Sequence, residues 1–243
     1  MNVIICKDYA AVSAAGADII EKTVREKPDC TLGLATGSSP VGMYQELARR
    51  CREEGLDFSR VHSVNLDEYV GLEPTHDQSY RYFMDDNLFN HINIDPRNTS
   101  VAKGVGAVDA NLAEFNAILD HTDIDVQVLG VGPDGHLGFN EPGDTLWDGA
   151  HKEVLDESTI DANQRFFASR DDVPRYAVTM GMGTIMRAKK LLMSVSGTKH
   201  DAMRALLRSD KSDPRCPCTF LRLHRDATVI LEQSLAEEIG YKG

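Results

Sequence analysis

Positive charge is scarce in this chain. Its 26 lysines and arginines face 38 aspartates and glutamates, for a formal net charge of -12 at pH 7. Such a balance excludes a broad nucleic-acid-binding surface or an anionic membrane as partner. An anionic small molecule would have to be held by a few placed cations. Long apolar runs are also missing, since no segment approaches the roughly 20 apolar residues of a membrane span. The start of the chain offers only a short apolar run, Val3 to Cys6, before charge sets in, so it reads as cytoplasmic. Cysteine is sparse. Cys6, Cys30, Cys51, Cys216 and Cys218 are odd in number and scattered, as reduced thiols are. Cys216-Pro217-Cys218, with His224 nearby, fits no usual zinc spacing and reads as two ordinary thiols. No linker, repeat or low-complexity tract divides the 243 residues, which predicts one domain over 1–243.

What the chain does have is alternation. Strand signals at Val3–Cys6, Thr31–Ala35, Val61–Leu66, Val126–Val131, Ala177–Met180, Leu191–Val195 and Thr228–Leu231 are separated by helical intervals. Val12, Ala15 and Ile19, then Met43, Leu47 and Cys51, recur at the spacing of one buried helix face. Further helical intervals fall at Tyr80–Phe89, Asn111–Leu119 and Lys199–Leu207. The pattern predicts an α/β fold: an open, mostly parallel, Rossmann-like sheet with helices on both faces. Ligands then bind where loops converge at the carboxyl ends of the strands.

The most informative loop is Gly130-Val131-Gly132-Pro133-Asp134-Gly135-His136-Leu137-Gly138-Phe139-Asn140-Glu141-Pro142. Asp134 and Glu141 can each accept a hydrogen bond from the His136 imidazole, orienting it and favouring its protonated form. Gly130, Gly132 and Gly135 spell G-x-G-x-x-G, but Gly138, Pro142 and Gly143 forbid the helix a dinucleotide site needs, so no nicotinamide or flavin is expected. Thr36-Gly37-Ser38-Ser39, after the second strand, could present N–H groups and hydroxyls to a phosphate without being a Walker loop. Asp67, in Asn65-Leu66-Asp67-Glu68-Tyr69, is a candidate general base at a strand end, or else an N-cap. Arg165, beside Phe166 and Phe167, and Lys199, in Ser196-Gly197-Thr198-Lys199, are candidate anion ligands near element ends. Gly181 to Thr184 reads as a structural strand-to-helix joint.

Taken together, Leu-Ala-Thr-Gly-Ser-Ser-Pro, Asn-Leu-Asp-Glu-Tyr-Val-Gly, the loop around His136, Asn-Gln-Arg-Phe-Phe and Ser-Gly-Thr-Lys resemble the glucosamine-6-phosphate deaminases, in that family's order, from about residue 31 to about 200. The resemblance implies conversion of glucosamine 6-phosphate and water to fructose 6-phosphate and ammonia, with no metal and no organic cofactor. It implies that His136, held by Asp134 and Glu141, moves a proton to the ring oxygen, and that Asp67, with a pKa raised by burial, carries the C2 proton to C1. It further implies that Thr36, Gly37, Ser38, Ser39, Arg165 and Lys199 hold the phosphate, with a mobile lid around 150–175.

Two departures separate this chain from the hexameric, allosteric members. Gly143 to Glu153 offers little positive charge where those members bind a second sugar phosphate, and the chain stops soon after its last strand. A monomer or small homo-oligomer without that regulation is therefore expected. The alternatives are a sugar-phosphate lactonase of the 6-phosphogluconolactonase kind, which shares a Gly-Asp-Gly-His loop, and a non-catalytic sugar-phosphate sensor. Asp67-Glu68-Tyr69 and Glu141 weigh against the first, because opening a lactone by water needs no base over C2. The acidic charge and the lack of a preceding helix-turn-helix weigh against the second.

Overall fold

The computed structural model describes all 243 residues. The chain opens with β1 (Asn2–Cys6), α1 (Tyr9–Glu26), β2 (Thr31–Leu34), α2 (Val41–Glu54) and β3 (His62–Asn65). Asp8 caps α1 by accepting the Ala11 N–H at 2.8 Å, and the buried stripe Val12, Gly16, Ile20 and Val24 has the four-residue spacing of one helix face. Gly55, in the left-handed region, ends α2. After β3 come β4 (Asp67–Tyr69), α3 (Tyr80–Asn87), β5 (Thr99–Ser100), α4 (Val108–Asp120) and β6 (Val126–Leu129). The remainder is β7 (His151–Val154), α5 (Glu157–Asn163), β8 (Tyr176–Thr179), α6 (Met182–Arg187), β9 (Leu191–Val195), α7 (His200–Arg208), β10 (Ala227–Glu232) and α8 (Gln233–Glu238).

Seven strands form one parallel sheet in the order β1-β10-β9-β6-β2-β3-β5. Every residue of β6 and β9 is buried, as central strands covered on both faces require. Right-handed crossovers put α1 and α2, which pack together, on one face and α4 and α7 on the other. From β2 the chain advances to β3 on one side, while β6 joins from the other. The gap between the carboxyl ends of β2 and β6 is therefore a topological switch point, where such sheets bind ligands.

The expected strand Val61–Leu66 is β3, and after Leu66 the chain enters a second sheet as β4. One strand expectation needs correction. The predicted strand at Ala177–Met180 exists, shifted by one residue, but it pairs in that second, antiparallel sheet of order β4-β8-β7. Its short buried run marks a strand and says nothing about which sheet receives it. Tyr69, Phe139, Leu155, Ile160, Val173 and Ala177 make a small separate core under this sheet. No helix is long and apolar enough to cross a membrane.

Candidate active site

A cleft of about 350 Å³ opens at the switch point, a size suited to a small ligand. Its walls include Thr36 to Ser39 after β2, Asp67 after β3, Gly130 to Pro133 and His136 after β6, and Lys199 after β9. Arg165 and Asn163, from the segment following β7, close one side. Asp67, His136, Arg165, Lys199 and the Thr36–Ser39 loop thus meet in one place, whereas Asp134 and Glu141 stand behind the wall.

The loop after β6 is shaped around the histidine. Gly132 N–H donates to the His136 carbonyl at 3.0 Å, and Gly135 N–H to Gly132 at 3.1 Å, folding the chain back so that the ring lies against Gly132. A Cβ on Gly132 would stand 2.2 Å from the ring Cε1, so only glycine permits this approach. The tail of the loop is tied to the second sheet: Asn140 Nδ2 donates to Leu137 and Met180 carbonyls, each at 2.8 Å, and Phe139 N–H to Thr179 Oγ1 at 3.1 Å. Those bonds explain why Gly-Phe-Asn-Glu-Pro is specified so closely.

His136 Nδ1 lies 2.8 Å from Asp134 Oδ1 and 3.6 Å from Glu141 Oε2. Both carboxylates therefore address the same nitrogen. The expectation that each accepts its own imidazole hydrogen bond is corrected: only Asp134 is within reach, at an angle short of a good hydrogen bond, and Glu141 acts by charge. Nε2 is left for the cleft. Burial disfavours the imidazolium, but the Asp134 contact and the charges of Asp134 and Glu141 outweigh it, so the His136 pKa is raised. Burial raises the Asp134 carboxyl, and its contacts with His136 more than reverse this. Glu141 is raised, by burial first.

Asp134, His136 and Glu141 bring three ligand atoms within 4.8 Å of one another. A metal held by nitrogen and oxygen at about 2.0–2.2 Å from each would spread a tetrahedral pair to more than 3 Å. The 2.8 Å between His136 and Asp134 is too short for that and fits a direct contact of imidazole and carboxylate.

Asp67 is buried, and its carboxyl is pushed up to about 8 by that burial and then by the charge of Glu68, with His136 opposing. Glu68 is buried beside it and raised to about 7, chiefly by burial. The Glu68 carboxylate accepts backbone N–H groups from Tyr69 at 2.8 Å, Tyr80 at 2.9 Å and Arg81 at 3.1 Å, which fixes the start of α3. Neither the buried role of Glu68 nor the place of Tyr80 in the cleft was marked in the sequence by more than an adjacent carboxylate and a helix start.

The other end of the cleft is electropositive. Burial lowers the Lys199 pKa and the nearby Arg165 charge lowers it further, so the two cations stand close enough to repel. Ser39 Oγ and Ser196 Oγ, 2.9 Å apart, join the loops after β2 and β9. No side chain caps α2 or α7, which begin at these loops and leave backbone N–H groups for an anion.

Residues 8–230 match the family of glucosamine-6-phosphate isomerases/6-phosphogluconolactonase. A glucosamine-6-phosphate deaminase of Clostridium perfringens is 50% identical over 240 residues, covering 98% of this chain and 99% of that protein. The solved structure of a monomeric glucosamine-6-phosphate deaminase, described as a missing link of the NagB superfamily, superposes with a TM-score of 0.94 at 40% identity, covering 98% of this chain and 99% of that one. A 6-phosphogluconolactonase from Leishmania guyanensis has a TM-score of 0.78 at 18% identity over 98% of both chains, a likeness of fold alone. This chain belongs to the family of glucosamine-6-phosphate isomerases and 6-phosphogluconolactonases.

Proposed function

We propose that this chain is a glucosamine-6-phosphate deaminase, taking glucosamine 6-phosphate and water to fructose 6-phosphate and ammonia. The observation that carries this reading is one cleft with a buried, weakly acidic carboxylate and a carboxylate-backed imidazole, together with a pair of close cations. A lactonase has no use for the first of these.

The protonated His136 delivers a proton to the ring oxygen and takes one from the C1 hydroxyl, and the pyranose opens to the aldehyde. Asp67 removes the C2 proton while His136 returns its proton to the aldehyde oxygen, giving the cis-enolamine; Asp67 then delivers the C2 proton to C1 and the nitrogen gives up a proton to His136, leaving a ketimine at C2. Water adds to C2, ammonia leaves, and the ketone remains. A carboxylate with a pKa of about 8 is a far better carbon base than an exposed aspartate, and burial is what makes it so. Asp134 and Glu141 do not touch substrate in this scheme; they position His136 and keep it charged. The phosphate sits among Arg165, Lys199 and the Thr36–Ser39 loop, where it relieves the repulsion between the two cations.

The segment from 150 to 175 is the lid. Arg165 stacks over Phe166, 4.6 Å from the ring centroid, and is exposed, so phosphate capture and closure over the enolamine are one event. The protein acts on a small sugar phosphate as a monomer or small homo-oligomer, without allosteric activation. Supporting this, the only basic residues between Gly143 and Glu153 are engaged: Lys152 lies over Tyr176, 3.9 Å from the ring centroid, and His151 pairs with Glu153 at 3.0 Å. Five free cysteines fit a reducing, cytoplasmic setting.

The test is a panel of glucosamine 6-phosphate, galactosamine 6-phosphate and 6-phosphogluconolactone with product identification. Ammonia and fructose 6-phosphate from the first are expected. Acid release from the lactone alone overturns the reading.

A further inference from the structure

Spacing makes Cys216-Pro217-Cys218 two ordinary thiols; the structure makes them a pair seated on the catalytic loop. Their sulfurs are 3.7 Å apart, with Cys216 partly exposed and Cys218 buried. Cys218 N–H donates to the Gly135 carbonyl at 2.8 Å. A Cβ on Gly135 would meet Cys216 Sγ at 2.4 Å and Cys218 Sγ at 3.2 Å. Both sulfurs therefore press on the residue that joins Asp134 to His136. Nearby, Gly143 N–H donates to Pro214, so the cysteine segment holds the histidine loop at two points. The pair is also polarised. The contact between the two sulfurs lowers the Cys216 thiol pKa, while that contact and burial raise Cys218, whose sulfur also lies 3.7 Å from the Ala202 carbonyl.

We propose that Cys216 and Cys218 form a thiol–disulfide modification site, in which Cys216 attacks a low-molecular-weight disulfide, Cys218 resolves the adduct, and the resulting bond displaces the Gly135–His136 turn and stops turnover. In the first step the Cys216 thiolate attacks a disulfide RSSR, forming Cys216–S–S–R and releasing RS⁻. Cys218 then loses its proton to solvent and attacks the Cys216 sulfur, forming the Cys216–Cys218 bond and releasing a second RS⁻. Two protein thiols are oxidised and one disulfide is reduced. The sulfurs must close from 3.7 Å to about 2.05 Å. That movement of more than 1 Å falls on a segment packed against Gly135. Misplacing a catalytic group by about 1 Å costs roughly 100-fold in rate.

The full chain is incubated with glutathione disulfide, the peptide carrying Cys216 and Cys218 is weighed, and ammonia release is followed in parallel. The expected result is a peptide lighter by two hydrogens, a fall in activity of about 100-fold in step with it, and recovery of both with dithiothreitol. Cys216→Ser should keep its basal activity and resist the treatment, and Cys218→Ser should retain glutathione on Cys216. The proposal is overturned if both thiols survive while Cys6 or Cys51 reacts, if the bond forms without loss of turnover, or if Cys216→Ser is inactivated like the parent. The loss of turnover rests on the deaminase reading, the thiol chemistry does not. If the untreated protein releases no ammonia, that reading has failed, and the peptide mass still decides the thiol step.

Discussion

Glu68→Gln isolates the electrostatic tuning of Asp67. Glu68 stays buried in the variant, and its amide oxygen can still accept the Tyr69 and Tyr80 N–H groups that Oε1 accepts now. The amide nitrogen would face the Arg81 N–H, which Oε2 accepts at 3.1 Å. That donor–donor contact costs about 1–3 kcal/mol of stability. The charge effect is separable. Glu68, at about 7, ionises before Asp67, at about 8, so its charge is present when the base loses its proton. Side chains of strand neighbours point to opposite faces, putting the carboxylates on the order of 8 Å apart; at an effective dielectric of about 20 their repulsion is roughly 2 kcal/mol, or about 1.5 pH units.

Burial remains in the variant, so the Asp67 pKa falls without reaching the ordinary carboxylate range. Asp67 must be ionised to act as a base, and kcat/KM rises as pH climbs through its pKa. Glu68→Gln should move that rising limb to lower pH by about one unit or more. The assay is kcat/KM for ammonia release between pH 5 and pH 10 in both proteins. The substrate phosphate, titrating near 6, contributes equally to both profiles and drops out of the difference. A variant that keeps activity with its rising limb unmoved, or moved upward, refutes the electrostatic account of the Asp67 pKa.

Asp67→Asn should cut solvent deuterium incorporation at C2 by about 100-fold or more; wild-type exchange would remove Asp67 from the base role. The same variant should melt higher than the parent above pH 8. The raised Asp67 pKa means its stabilising contribution is full below the unfolded value near 4 and is lost as pH rises through about 8, whereas the amide does not titrate. Gly132→Ala places a methyl carbon 2.2 Å from the His136 ring, so kcat should fall about 100-fold while KM moves little; intact kcat would show that the ring need not lie there. Arg165→Ala and Lys199→Ala should each weaken an inert sugar phosphate by about 1.5–3 kcal/mol, roughly 10- to 150-fold in Kd, and calorimetry finding both unchanged would place the phosphate elsewhere. Thr179→Val strips the acceptor from Phe139 N–H, buried at 3.1 Å, and should cost about 1–3 kcal/mol by thermal melting.

The parallel sheet and its helices were legible because apolar periodicity is what burial on both faces imposes, and β6, β9 and α1 show it without interruption. The cleft was legible because loops at strand ends carried unusual chemistry. The second sheet was not. Asp67-Glu68-Tyr69 buries two carboxylates within three residues, against the usual preference of charge for water, so no hydropathy pattern marks it as a strand. His151–Val154 alternates but is polar, and Glu157–Asn163 is too short and hydrophilic for a helical stripe. Nor does sequence say which imidazole nitrogen a carboxylate meets. Asp134 and Glu141 converge on Nδ1 only because Gly132 lets the ring fold back.

The unreadable step, from one sheet to the other, is what places the base. A parallel sheet offers its carboxyl-end loops to a ligand, and loops are poor holders of a buried charge. Leu66 resolves this by serving both sheets: its N–H donates to Leu34 at 3.0 Å in the first, and its carbonyl accepts the Met180 N–H at 2.7 Å in the second. Both backbone groups of Leu66 are thus paired, and the chain changes sheets without an intervening loop. Asp67 follows in strand register with Thr179, and Thr179 Oγ1 anchors Phe139 at the far side of the histidine loop. Base and imidazole are thereby referred to the same strand pair. Burying Asp67 is costly for an ion, and that cost raises its pKa to about 8 and makes it a base strong enough for carbon.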